Sequence, residues 1–292
     1  MLYTNCIMSN SEAINPVCAE DYTQVSEQEH VQMRLALYAD STDKCQLDNG
    51  IYVSDIANGT YKCTLIGNHD MVPAELNLVD EIITNAVDNG TESLSRHMAN
   101  RGVHICIFYD ADTRTITISN SNMPIPLEVH HDTGMPVPEM IFTQMRTSSN
   151  YAERKENKGG MNGLGAKCVN FCSTQFVAKF KNGYAGKTAT LKCQNGIKTS
   201  YVEKSLTAVQ SQKLKDNSLS LVTEISFVLD PKYLSGGTCP ILFGDILRMR
   251  SVTACMNLAL AIEKRVYLTF NKQKISFDPK SAFKEFVERI YE

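Results

Sequence analysis

A long amphipathic helix with carboxylates and carboxamides along its polar side, followed later by a glycine-dense loop that runs into a second helix, leaves few folds open to this chain. The helix contains Asp80-Glu81-Ile82-Ile83-Thr84-Asn85-Ala86-Val87-Asp88-Asn89, and the loop is Gly160-Met161-Asn162-Gly163-Leu164-Gly165-Ala166-Lys167. Pro73 opens the helix, a place proline favours because its missing N–H has no helical partner there. Leu76, Val79, Ile83 and Val87 fall on one side, flanked by Leu78 and Ile82. Glu81, Asn85 and Asp88 recur at the spacing that sets side chains on the opposite side. By itself this pattern is more often that of a solvated helix face.

Gly160-x-x-Gly163-x-Gly165 ahead of a helix lets backbone N–H groups approach phosphate oxygens, aided by the helix dipole. The loop is not a Walker A motif, because Ala166 separates Gly165 from Lys167 and Cys168 stands where a magnesium-holding Ser or Thr belongs. Nor is it the dinucleotide fingerprint, whose glycines follow a first strand directly. A tight loop without a ligand accounts for these glycines equally well. The two stretches together carry more: a polar face for metal and water, and N–H groups around phosphate, are what a magnesium–nucleotide requires. The pairing points to ATP chemistry.

The bulk properties narrow the field. At 292 residues, with 43% hydrophobic and 21% charged residues, the chain can bury a substantial core of ordinary globular composition. A net charge of −3 argues against a module devoted chiefly to nucleic acid. No run of about eighteen apolar residues predicts a membrane span, and Met1-Leu2-Tyr3-Thr4-Asn5 lacks the basic-then-apolar order of a secretory signal. Ten cysteines occur without a Cys-x-x-Cys pair, and the six histidines do not gather around Cys168 and Cys172. Buried free thiols in a reducing compartment are therefore expected rather than zinc or disulfides.

Along the chain, residues 1–21 show no sustained period and are predicted to form an arm. Ser26 to Leu37 reads as a helix after a serine cap, with Glu27 and Glu29 in its first turns. Asn49-Gly50 and Asn58-Gly59 predict a turn-rich stretch from Asp43 to His69. Val103, Ile105 and Ile107 alternate as in a strand, Asp110 to Thr113 turns, and Thr115 to Ser119 returns. Glu139 to Met145 reads as a short helix, Thr147 to Lys158 as a polar loop or lid, and Ala166 to Cys172 as a helix start. Strands are predicted around Phe176–Phe180, Thr188–Lys192, Leu221–Leu229 and Val266–Phe270, and a helix over Leu247–Ile262.

Several motifs in this order make the resemblance specific. Glu81-x-x-x-Asn85, Asn120 at a strand end, Thr147-Ser148-Ser149-Asn150-Tyr151 and Gly159–Lys167 resemble the GHKL ATPase superfamily. Within it the chain is most similar to the N-terminal ATPase domain of type IIA DNA topoisomerases, in the eukaryotic and large-virus branch. The likeness runs from Tyr22, through Glu29-His30 and Arg34, to Phe270–Lys274 and Phe283–Tyr291, so the ATPase domain is expected to span 22–292. The fold this implies is α/β (α+β): a two-layer Bergerat sandwich with a mixed sheet backed by helices.

The resemblance implies ATP and Mg²⁺ as cofactors and a role for each matching residue. Glu81 would be the general base that orients the attacking water, and Asn85 would offer its oxygen to Mg²⁺. Gly160, Asn162, Gly163, Leu164, Gly165, Ala166 and Lys167 would wrap the phosphates, with Lys167 balancing charge. Ser148, Ser149 and Asn150 would bond the ribose and phosphates, Asn120 the adenine edge, and Thr223 would lie beside the base. In the implied assembly ATP clamps two copies into a homodimer that gates the passage of duplex DNA, and Tyr22 reaches the neighbour's nucleotide. The family's transducer and DNA-gate domains are expected to lie outside this chain, in other domains or subunits. An intracellular setting is implied: the nucleus for a eukaryotic protein, host cytoplasm or virion for a viral one.

The sequence also departs from the family. Where relatives follow the adenine-binding residue with Asn-Gly-x-Gly-Ile-Pro, this chain has Ser121-Asn122-Met123-Pro124-Ile125-Pro126. Asn122 tolerates a left-handed turn, whereas Pro124 cannot take positive φ and donates no N–H, so an altered backbone and weaker nucleotide binding are expected. Leu37-Tyr38-Ala39-Asp40 likewise lacks the Pro and Gly expected around that tyrosine. Two other readings stay open: a nucleotide-gated dimerisation module with little turnover, and another GHKL ATPase of the mismatch-repair or chaperone type.

Overall fold

The computed structural model describes residues 21–48, 50–96, 101–147 and 163–291. Ser26 caps helix α1 (Glu27–Met33) in a reciprocal capping box with Glu29. The helix predicted to reach Leu37 breaks at Arg34 and resumes as α2 (Ala36–Ala39). The stretch predicted to be turns instead forms β1 (Cys45–Leu47), β2 (Gly50–Ala57), β3 (Thr60–Ile66) and β4 (His69–Met71). Asn58 and Gly59, with φ of 50° and 80°, make the tight turn between β2 and β3, so the Asn-Gly signal marked a hairpin.

Helix α3 (Pro73–Ser95) starts at Pro73 as expected and buries Leu76, Leu78, Val79, Ile82, Ile83 and Ala86. Strands β5 (Val103–Asp110) and β6 (Thr115–Ser121) follow, then helices α4 (Val137–Thr143) and α5 (Gly165–Phe171). Next come β7 (Ser173–Asn182), β8 (Lys187–Gln194), β9 (Ile197–Ser205), α6 (Ala208–Asp216) and β10 (Leu221–Leu229). Helix α7 (Pro240–Ile262) begins a turn and more before the predicted start, with Pro240 at its first turn. Strands β11 (Val266–Phe270) and β12 (Gln273–Phe277) and helix α8 (Ala282–Tyr291) close the chain.

Among the described residues the main sheet has eight strands in the order β12-β11-β5-β6-β10-β7-β8-β9. The β11–β5 pair is parallel and the remaining pairs are antiparallel, which makes the sheet mixed. Alternate residues of β5 (Val103, Ile105, Ile107) and β7 (Phe176, Ala178, Phe180) are buried on the face that α3, α5 and α7 cover. Helix α3 lies so close to its neighbours that a methyl group at Gly90 would stand 3.0 Å from Leu258 and 3.2 Å from Val103. The fold is thus the expected two-layer α+β sandwich with a mixed sheet backed by helices.

Free thiols are buried at Cys168, Cys172, Cys193 and Cys255, but Cys45 and Cys239 are exposed, so the burial expected of the cysteines holds only in part. Among the described residues no cluster of three or more His, Cys, Asp or Glu side chains could hold a metal ion. No described helix is long and apolar enough to cross a membrane.

Candidate active site

Glu81 and Asn85 sit one turn apart on the outer side of α3, and both are exposed. The start of α5 closes over Glu81. A Cβ added at Gly165 would fall on the Glu81 carboxyl, so only glycine permits this approach. Partial desolvation under α5, then repulsion from Asp80 and Asp88, raises the Glu81 pKa above its ordinary value. Asp80 is itself held by Arg250 of α7 at 2.8 Å.

Leu164 caps α5, its carbonyl accepting from the Lys167 and Cys168 amides at 3.0 and 3.1 Å. Gly163 takes a φ of 60°, the left-handed conformation that favours glycine. Ala166 and Lys167 are buried, and Lys167 Nζ donates to the Thr147 carbonyl at 2.7 Å. Burial pushes the Lys167 pKa down to about 8. The neighbouring Cys168 thiol is pushed up to about 12, by burial first and then by the Glu81 charge.

A second group of polar residues lies across α3, β6 and β10. Asn120 on β6 faces Thr223 on β10 in the strand register, at a point where that register shifts. Both are buried, and the Thr223 hydroxyl has no hydrogen-bond partner among the described residues. Asn120 Nδ2 donates to Asn89 Oδ1 at 2.9 Å and to the Ser121 carbonyl at 3.2 Å. Asn89 Nδ2 donates in turn to the Met123 carbonyl at 2.8 Å, and Met123 N–H donates to Ser93 Oγ at 3.2 Å. Asn122 adopts a φ of 84°, so it supplies the left-handed turn that a glycine would otherwise make.

Known proteins are similar to this chain in sequence and fold. No family model matches the chain. DNA topoisomerase 2 of Saccharomyces cerevisiae is 32% identical over 184 residues, which is 62% of this chain and 12% of that protein. DNA topoisomerase 2 of Meyerozyma guilliermondii is 30% identical over 289 residues, 98% of this chain and 18% of that protein. The ATPase and transducer domains of DNA topoisomerase II from Balamuthia mandrillaris superpose with a TM-score of 0.73 at 25% identity, covering 92% of this chain and 64% of that one. In sequence and fold the chain resembles the ATPase domains of type II DNA topoisomerases. The ATPase region of Saccharomyces cerevisiae topoisomerase II has the same fold, with a TM-score of 0.72 at 24% identity over 93% of this chain and 65% of that one. This ATPase-type domain spans between 12% and 18% of the length of these two curated topoisomerases.

Within this topoisomerase-type domain, Glu81 meets Gly165 and Cys168, and Asn120 meets Thr223. Tyr22 is 80% exposed. Ser148, Ser149, Asn150, Gly160 and Asn162, as well as the arm before residue 21, lie outside the described residues. Asn89 was missed by sequence reasoning, although its signal was present: it continues the Glu81, Asn85 stripe by one further turn.

Proposed function

We propose that this chain binds Mg·ATP between α3 and α5 and hydrolyses it as the ATPase part of a type II DNA topoisomerase. The observation that carries the proposal is the packing of Glu81 against the first residue of α5, at the end of the glycine loop. That packing brings a carboxylate of raised pKa beside the segment whose backbone would receive phosphate.

The residues suit the ligand chemically. The Thr223 hydroxyl, buried opposite Asn120 and without a partner among the described residues, suits a polar ligand atom such as one on a purine edge. Asn85 presents a neutral oxygen one turn from Glu81, enough for Mg²⁺, which takes its other ligands from phosphate and water. Bound there, the ion would neutralise charge on the phosphates. Glu81 would hold a water in line and accept its proton, and Lys167 would balance the phosphate charge. Glycines at 163 and 165 would let the backbone close on the phosphates, together with Gly160 and Asn162. Ser148, Ser149 and Asn150 would complete the ribose and phosphate contacts.

In the complete enzyme, nucleotide would drive homodimerisation of this domain into a gate for duplex DNA. The transducer and DNA-gate regions would supply cleavage and passage. The exposed Tyr22 would reach the nucleotide of the second copy.

Nucleotide binding and turnover measured side by side test the proposal. Glu81→Ala should retain binding of a non-hydrolysable ATP analogue and lose hydrolysis. Undiminished turnover in that variant would remove Glu81 from its role. Wild-type chain that dimerises with the analogue but does not turn ATP over would favour the dimerisation module.

A further inference from the structure

We infer that Asn89 fixes which end of the Asn120 amide faces the nucleotide, and so makes Asn89 the residue through which this site prefers adenine to a 6-oxopurine. The inference rests on the nucleotide reading above. Its argument concerns hydrogen-bond polarity alone.

An asparagine side chain can turn over, exchanging its donor and acceptor ends, unless its surroundings specify one orientation. Two backbone carbonyls specify it here. The Ser121 carbonyl can only accept, so the Asn120 atom 3.2 Å away must be Nδ2. The Met123 carbonyl can only accept, so the Asn89 atom 2.8 Å away must also be Nδ2. That choice turns Asn89 Oδ1 toward Asn120, where it receives the other Nδ2 hydrogen at 2.9 Å. Both amide hydrogens of Asn120 are thereby occupied, and its oxygen is the one polar atom not used in these contacts. Helix α3 secures the relay at its far end, because Ser93 Oγ accepts from the Met123 amide on the same turn.

A side chain locked in this sense can accept a hydrogen bond but cannot donate one. It matches the amino group at C6 of adenine and opposes the carbonyl at C6 of hypoxanthine or guanine. Asn120 is then a one-sided reader, although asparagine is by nature two-sided. Asn89 is a positioning residue: it acts through Asn120.

Calorimetric titration of the full chain with ADP and with IDP, whose base is hypoxanthine, tests this. The wild type should favour ADP. Asn89→Ala removes the shorter of the two contacts that orient the Asn120 amide and leaves only the 3.2 Å contact to the Ser121 carbonyl, so the ADP-to-IDP affinity ratio should fall roughly tenfold. Asn89→Asp still accepts from Asn120 and should keep the ratio. In the double variant Asn89→Ala/Asn120→Asp the carboxylate can only accept, so the preference for ADP should return. A loss of affinity for both nucleotides in Asn89→Ala with the ratio unchanged would overturn the inference and leave Asn89 a structural role. If Asn89→Ala does not fold, loss of the ratio in Asn89→Asp would overturn it equally. Wild-type chain that binds neither nucleotide would instead defeat the functional proposal itself.

Discussion

The Cα of Gly165 stands against the carboxyl of Glu81, with no room between them for a methyl group. The contact joins the polar face of α3 to the end of the glycine loop, the two features that first marked this sequence. Gly165 is not needed for its backbone angle, since its φ is not in the left-handed range. The requirement is space. Gly165→Ala should therefore fold but push the Glu81 carboxyl aside. Displacing a catalytic group by about 1 Å costs on the order of 100-fold in rate. Steady-state ATP hydrolysis by Gly165→Ala should fall by roughly that factor while secondary structure by circular dichroism is unchanged.

The raised pKa of Glu81 fixes the sign of a pH effect. A general base works only when ionised, so hydrolysis should fall as pH drops through a midpoint above the ordinary 4.5 of a glutamate. The surrounding charges are Asp80 and Asp88 on α3 and Arg250 paired to Asp80, with the neutral Cys168 thiol of α5 beside them. Arg250→Gln should move the midpoint upward by leaving the Asp80 charge uncompensated. Because folding raises this pKa, stability is lost as pH rises from the unfolded to the folded value. Above that window the ionised carboxylate costs stability, so Glu81→Gln should melt no lower than wild type at pH 7. Its hydrolysis should nevertheless drop by about two to four orders of magnitude. A pH–rate profile and a thermal melt check both halves.

Much of this fold is legible in the sequence. Helix α3, the β5–β6 hairpin and strands β10 and β11 follow from periodicity, because each has one buried face. Strand β9 escaped notice because residues Ile197–Ser205 are nearly all exposed at a sheet edge, which leaves no apolar alternation to read. Strand β2 was read as turns partly because a bulge between Val53 and Asp55 shifts its period. The proposed site residues could be named by motif, but their partners could not. Asn89 bonds Asn120 over thirty-one positions of sequence, and no local spacing signals that contact.

Lys167 predicts a proton linked to ligand binding. Burial lowers its pKa to about 8, so the free protein holds this amine partly neutral just above neutrality. A phosphate beside Nζ favours the ammonium, and binding above pH 8 must then take up a proton. Nucleotide affinity should weaken as pH rises past 8, by up to about tenfold per unit. Calorimetry at pH 8.5 in two buffers of different ionisation enthalpy should give different apparent heats. For the unliganded fold the sign is opposite: the unfolded lysine binds more protons between the two pKa values, so this group's contribution to stability rises with pH across that window. Lys167→Met should accordingly stabilise the free protein and weaken ATP binding.

Thr223 separates ligand binding from folding most directly. Its hydroxyl is buried and has no partner among the described residues, and a buried group left unsatisfied costs about 1–3 kcal/mol relative to a satisfied one. Valine has nearly the same shape and no polar atom. Thr223→Val should hence leave the unliganded domain as stable as wild type or more so, by up to that amount, with the Asn120–Asn89 bond intact. In the nucleotide complex the hydroxyl would gain the partner it lacks, worth about 0.5–1.5 kcal/mol. The same substitution should thus weaken ADP binding by roughly two- to tenfold. Thermal melts with and without saturating ADP read both effects together: the variant should match or exceed wild type without ligand and gain less on adding it. A variant that melts lower without ligand and gains the full shift would show that the Thr223 hydroxyl serves the sheet rather than the base.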